Sequence, residues 1–307
     1  MVTAYITHPD CQLHQMGEHH PECPDRVRLI EDQLISDQLF DFLKFYQAPL
    51  VSDDDLYRAH TQKYVQEIES LSPQQGLVSI DDDTLMNPYT ITAAKRAAGA
   101  GVLAVDLVLK GEVNNAFCNV RPPGHHAERE QAMGFCFFNN IAIAALHALQ
   151  SKVIRKVAII DFDVHHGNGT EEILQDDDRV MILSSFQYPS FPDKDFAINH
   201  KNIVNVKLHP NTKGHEYREL VSHDWFTALR KFSPDMIFIS AGFDAHHLDP
   251  LADINLKESD YVWLTQQIMM IADQCAKGRI VSMLEGGYHL GALAKSASAH
   301  IRELMKL

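Results

Sequence analysis

The sequence has no C-x-x-C pair, and its cysteines are odd in number: Cys11, Cys23, Cys118, Cys136 and Cys275. Neither a disulfide framework nor a cysteine-based zinc site is expected from that set. The opening residues MVTAYITHPDCQ lack the basic start and apolar core of a secretion signal. No apolar run approaches the ~20 residues that a membrane helix needs. Together these gaps point to a reducing, cytoplasmic setting with no membrane partner. Positive charge is also scarce, with 27 Lys and Arg against 41 Asp and Glu and a net charge of −14. A basic face for phosphate binding is therefore not expected, which argues against direct nucleic-acid binding, while cationic substrates remain compatible. No repeat, low-complexity tract or Pro/Gly/Ser-rich linker divides the chain, so residues 1–307 are expected to form one domain.

What the sequence does contain is a series of short apolar runs separated by longer helical patterns. NNAFCNV (114–120), KVAIIDFD (156–163), RVMILSS (179–185), DMIFISAG (235–242) and GRIVSMLEGG (278–287) read as buried strands. TITAAKRAAGAGVLAVDLVLKG, FNNIAIAALHALQ, EYRELVSHDWFTALRKF and SDYVWLTQQIMMIADQCAKG carry helical spacing, and the small residues of KRAAGAGVLA suit a helix packed closely on a neighbour. Strands that are apolar almost throughout and alternate with helices predict an α/β fold: a mainly parallel sheet with helices on both faces.

Histidine is abundant at 18 residues, and its placement is not random. The first strand runs into His125 and His126, and the second into Asp161, Asp163, His165, His166 and Asn168. The fourth runs into Asp244, His246, His247 and Asp249, and the fifth into Tyr288 and His289. In a parallel sheet all C-terminal strand ends face one crevice, where ligands bind. Asp163 and His165 are two apart and point the same way, which suits a divalent ion such as zinc, and Asp244 supplies a third ligand from another strand. A single Asp-x-His is commonly only a capped loop; it is the other three strand ends that favour a metal. Three protein ligands leave a position open for catalysis. One of His125 and His126 can serve as general base and acid, with Asp161 and Asn168 as orienters, and the Tyr288 hydroxyl can donate to a developing oxyanion.

RPPGHHA, MGFCFFNNIAIAA, DFDVHHGNGT, SAGFDAHHLDPL and LEGGYHLGAL, taken in order, resemble the motifs of the zinc-dependent histone deacetylase family, which includes bacterial deacetylase-like amidohydrolases, acetylpolyamine amidohydrolases and acetoin-utilisation proteins. HHPECPDRV and DDDTLMNPY are similar to earlier motifs of the family, so the resemblance spans nearly the whole chain. It implies an arginase-like α/β fold and hydrolysis of acetylated amines at one zinc ion held by Asp163, His165 and Asp244. It further implies His126 as general base and acid, His125 as its electrostatic partner, Asp161 behind His125, Asn168 behind His126, and Tyr288 as the transition-state donor. Asparagine at 168 is the class II and bacterial form. The resemblance also implies a potassium ion near Asp161, Asp163, His165 and Ser184. For the substrate it implies a tunnel with walls at Gly134, Phe135, Phe191 and Gly287 and a rim carboxylate at Asp81, Asp82 or Asp83, with the choice among the three left open. Arg26 is placed beside the acetate exit.

The loop SSFQYPSFPDKD (184–195) departs from the bacterial pattern, with Phe186 for a histidine and Asp193 and Asp195 for glycines, so rim shape and substrate preference are not carried over. The absence of a long inserted loop favours acetyl-lysine in peptides or proteins over an acetylpolyamine; another small acyl amide is a further alternative. A two-manganese ureohydrolase needs additional carboxylates that DFDVHH lacks, and a non-catalytic metal-binding module is disfavoured by the intact set. Oligomeric state is left open.

Overall fold

The computed structural model describes residues 1–192 and 200–307. In chain order the elements are β1 (Thr3–Thr7), α1 (Asp25–Ser36), β2 (Lys44–Gln47), α2 (Asp53–Ala59), α3 (Gln62–Ser70), the two-residue strands β3 (Val78–Ser79) and β4 (Leu85–Met86), and α4 (Thr90–Leu109). They continue as β5 (Asn115–Cys118), α5 (Asn140–Ala148), β6 (Val157–Asp161), α6 (Asn168–Leu174), β7 (Val180–Gln187), β8 (Ile203–Leu208), α7 (Gly214–Phe232), β9 (Met236–Ala241), α8 (Glu258–Cys275), β10 (Ile280–Leu284) and α9 (Leu290–Met305). β3 and β4 form a small antiparallel pair of their own.

The other strands build one eight-stranded sheet in the order β2-β1-β5-β10-β9-β6-β7-β8. Every recorded pairing in it is parallel. The expected α/β architecture is therefore present, and the five expected strands are β5, β10, β9, β6 and β7, neighbours in the middle of the sheet. Strand alternation divides the core in two. Val157 and Ile159 face one hydrophobic cluster with α4 and α5, whereas Ala158 and Ile160 face the other with α1, α7, α8 and α9. Both faces are covered, which is why these strands read as unbroken apolar runs. The Ala/Gly stretch of α4 packs closely, as expected: a Cβ on Gly101 would lie 2.9 Å from the Ala144 Cβ of α5.

β1, β2 and β8 and the helices α1, α2, α3, α6 and α9 were not anticipated. β2 is a sheet edge with mostly exposed residues, and α6 begins inside the glycine-containing HHGNGT, which has the composition of a loop. No helix among the described residues is long and apolar enough to cross a membrane.

Candidate active site

Because β5, β10, β9 and β6 are adjacent, the turns after them converge on one spot. β6 leads into Asp163 and His165, and β9 into Asp244. The ligating atoms of these three buried residues lie within 4.8 Å of one another. His165 Nδ1 is 3.2 Å from both Asp163 Oδ1 and Asp244 Oδ2. Burial opposes a charge on His165, but the two carboxylates outweigh it and push its pKa up to about 10. Burial, joined by the Asp163 charge, pushes Asp244 up to about 7. Burial acts the same way on Asp163, yet the neighbouring His125 and His165 cations hold it below the usual carboxylate range. Two carboxylates facing one imidazole in a buried site form a donor set that favours a bound cation over a shared proton. Space is reserved for them as well, since a Cβ on Gly286 would collide with the carboxylates of Asp244 and Asp163. The Gly286 amide instead donates to Asp163 Oδ2 at 2.7 Å. These residues fit a divalent metal.

The turn after β5 brings His125 and His126 beside the triad, their ring centroids 4.0 Å apart. His125 Nδ1 is 3.0 Å from Asp161 Oδ2, and its Nε2 is 3.7 Å from Asp163 Oδ1. Burial works against its charge, but Asp163, Asp161 and Glu285 raise its pKa well above the ordinary histidine value. His126 differs. Its Nδ1 donates to Asn168 Oδ1 at 2.8 Å, and Asn168 is oriented by donating through Nδ2 to Glu128 Oε1 at 2.7 Å. Burial and then the His125 and His165 cations hold its pKa well below the ordinary value. That tautomer leaves Nε2 of a neutral imidazole free to accept a proton.

Tyr288 follows the Gly286–Gly287 turn after β10 and stands edge-on to Phe135, with ring centroids 5.8 Å apart. Burial raises its pKa well above the ordinary phenol value despite the nearby Arg26 cation, so the hydroxyl stays a donor. Arg26 lies 5.0 Å from the Tyr288 ring centroid. It is fully buried, donates to Gly287 O at 2.8 Å and to Glu285 O, and pairs with Glu22 at 3.1 Å.

Above these groups is a cavity of about 230 Å³ lined by Asp83, His126, Gly134, Phe135, His165, Phe191, Leu251 and Tyr288. Phe191 stands edge-on to His126 at 5.0 Å and is 38% exposed. Of the three adjacent aspartates, Asp83 lines the cavity. Asp81 instead accepts from the backbone of Asp83 and Thr84, at 3.0 and 2.6 Å, and Asp82 points to solvent. Gly287 is not a lining residue, since its carbonyl turns to Arg26. Phe186 packs inward against His166, ring centroids 4.5 Å apart, so it does not shape the mouth. Asp193 and Asp195 lie outside the described residues. Ser184 is paired in register with Asp161, and its buried hydroxyl has no hydrogen-bond partner among the described residues.

Several residues of the site had not been singled out. Glu285 Oε2 accepts from the amides of Gly124 and His125 at 2.7 and 3.1 Å, and burial pushes its pKa up to about 7. Glu128 orients Asn168, Leu251 lines the mouth, and Arg121 forks onto both Glu22 oxygens at 2.6 Å. No local spacing links these residues to their partners.

Comparison with known proteins adds the family. The histone deacetylase domain profile matches residues 20–304. A histone deacetylase-like amidohydrolase of Pseudomonas aeruginosa is 36% identical over 98% of this chain and 86% of its own length. An uncharacterized protein of Synechocystis sp. is 39% identical over 99% of this chain and 100% of its own. The crystal structure of the HDA15 HD domain superposes with a TM-score of 0.93 at 34% identity, covering 99% of this chain and 88% of that one. The chain belongs to the histone deacetylase family and is a hydrolase acting on amides.

Proposed function

We propose that this chain is a zinc-dependent deacetylase whose substrate is acetyl-lysine in peptides or proteins. The observation that carries the reading is the buried Asp163–His165–Asp244 triad at the base of a cavity that also presents the neutral imidazole of His126. Asp163, His165 and Asp244 would hold the zinc ion. A bound zinc ion acidifies water and polarises an amide carbonyl.

The chain's own groups do the rest. Phe135, Phe191 and Gly134 enclose a linear side chain and keep bulk water from the reacting amide. His126 Nε2 takes the proton of the attacking water as its oxygen bonds to the acyl carbon. It returns that proton to the amine nitrogen as the C–N bond breaks, leaving acetate and a free amine. Asn168 holds His126 in the tautomer this needs. His125 keeps its proton, donating through Nδ1 to Asp161, and supplies positive charge beside the reaction. Tyr288 donates to the oxygen that gains charge.

The cavity lining supports a peptide over a polyamine. Asp83 is its one carboxylate among the described residues, and the mouth is otherwise shaped by Phe135, Phe191 and Leu251. A single rim carboxylate suits a backbone N–H donor, whereas a second cationic amine would ask for more negative charge at the mouth. A potassium ion is proposed beside Asp161 and the backbone of Asp163 and His165, supported by the orphaned Ser184 hydroxyl. Residues 1–307 are proposed to act as one catalytic domain.

Acetate release from an acetyl-lysine peptide, beside acetylputrescine at equal concentration, tests the reading. The peptide is expected to be the faster substrate, with activity lost on chelation and restored by zinc. A faster acetylputrescine reaction would overturn the substrate, and activity that survives chelation would overturn the metal.

A further inference from the structure

Asp244, His246, His247 and Asp249 follow β9 together, and the proposed reaction uses only the first. Asp249 is 7% exposed, and its carboxylate is spent on backbone amides. Oδ2 accepts from Tyr288 N at 2.7 Å and His289 N at 3.1 Å, while Oδ1 accepts from Leu251 N at 3.1 Å. The segment so held needs holding. Gly286 and Gly287 precede Tyr288, and Gly287 has a φ of +119°, a backbone region open to glycine and little else. Such a turn does not fix the direction of the tyrosine by itself. Arg26 secures it from one side by donating to the carbonyls of Glu285 and Gly287. Asp249 secures it from the other by taking the next two N–H groups, those of the two residues immediately before α9 begins at Leu290. Binding those two amides through one oxygen and Leu251 through the other needs both oxygens of a carboxylate. Asparagine offers one acceptor only.

We propose that Asp249 is a positioning residue: it sets Tyr288 for donation to the oxyanion and ties that setting to Leu251 at the cavity mouth. The inference rests on the donor role of Tyr288 given above. It makes the loop after β9 serve twice, since Asp244 belongs to the triad and Asp249 fixes the donor across from it.

Kinetics of zinc-loaded Asp249→Ala, Asp249→Asn, Tyr288→Phe and the double variants, with amide exchange of the segment after β10, test it. Loss of one oxyanion donor costs about 10²–10³ in kcat, which is the ceiling for a residue acting through Tyr288. Asp249→Ala is expected to lower kcat by about 10–10² with KM changed less than about twofold, because the interaction is made in the transition state. Asp249→Asn is expected to fall between Asp249→Ala and the parent. On the Tyr288→Phe background either Asp249 change should cost less than about twofold more, since residues acting as a unit are not additive. The amides of Tyr288 and His289 should exchange faster in both Asp249 variants while β9 and β10 stay protected. Losses that multiply in the double variants, or a raised KM with kcat intact, would overturn the proposal. So would an Asp249→Asn enzyme with parental kcat beside an Asp249→Ala chain that does not fold, since the role would then be structural. A Tyr288→Phe enzyme as fast as the parent would instead remove the donor role, and the proposed mechanism with it.

Discussion

His125 and His126 are neighbours in the chain and their rings lie 4.0 Å apart, tilted by 44°, yet the two sides of the cavity floor favour a charged imidazole at one and a neutral imidazole at the other. The His125 side is lined with carboxylates: Asp161 at 3.0 Å, Asp163 at 3.7 Å, and Glu285 behind the backbone. The His126 side offers the amide oxygen of Asn168 and two cationic rings. Both imidazoles are equally buried, so burial does not separate them. The difference lies in the charges around each ring, with Asp163, Asp161 and Glu285 about His125 and the His125 and His165 cations with the uncharged Asn168 about His126. It suits the fixed cation and the proton carrier that the proposed reaction asks for.

The most severe way to break the comparison is to remove what both sides surround. Asp163→Asn is expected to abolish zinc binding and bring acetate release to background, read by metal analysis and a turnover assay on the same sample. Next in size is His126→Ala, which should lower kcat by about 10²–10⁴, the usual contribution of a positioned base. His125→Ala should cost less, because it removes a stationary charge and not the proton carrier. Equal losses would refute the division of labour.

Asn168→Asp sharpens the comparison by giving both histidines a carboxylate. A carboxylate at hydrogen-bond distance raises an imidazole pKa by about 1–3 units. A base must be neutral to act, so the acid limb of the kcat/KM profile should move to higher pH by about that amount.

The smallest effect comes from a histidine whose hydrogen-bond partners are both hydroxyls. His300 is buried between Thr265 and Ser282, with Nδ1 2.7 Å from the threonine hydroxyl and Nε2 2.9 Å from the serine hydroxyl, and burial lowers its pKa to about 3. The unfolded chain takes up a proton there near pH 6.5, whereas the folded chain does not until about pH 3. This contribution is therefore present above pH 6.5 and is lost as pH falls, by at most ~1.4 kcal/mol per unit. Urea unfolding at pH 7 and pH 5 should show a shallower pH dependence for His300→Gln than for the parent.

Some of this site was legible before any coordinates, and the reason is geometric. A parallel strand ends its apolar run where the chain meets the crevice, so IIDFDVHHGNG and SAGFDAHHLDPL announce their polar residues by position. What local sequence does not carry is partnership across the sheet. Glu285 sits in LEGGY with no neighbour to explain it, because the amides it binds belong to Gly124 and His125. Asp81, Asp82 and Asp83 are one run of charge until the turn consumes Asp81 on its own backbone and leaves Asp83 facing the cavity. β1 (TAYIT) and β8 (IVNVKL) were missed because polar residues interrupt their apolar runs, and β2 because an edge strand with both end residues and Phe45 exposed has the polarity of a loop.

The mouth of the cavity is contributed by Asp83, Phe135, Phe191 and Leu251, which come from four separate loops and include no member of the metal triad. In engineering terms this separates selectivity from reactivity. Each of the four can be exchanged without replacing Asp163, His165 or Asp244, and of the four Phe191 is the one that packs on a triad ring, edge-on to His165 at 6.3 Å. A library confined to Asp83 and Leu251 would sample flanking residues, whereas changes at Phe191 and Phe135 would also reach the rings of His126 and Tyr288 on which they pack.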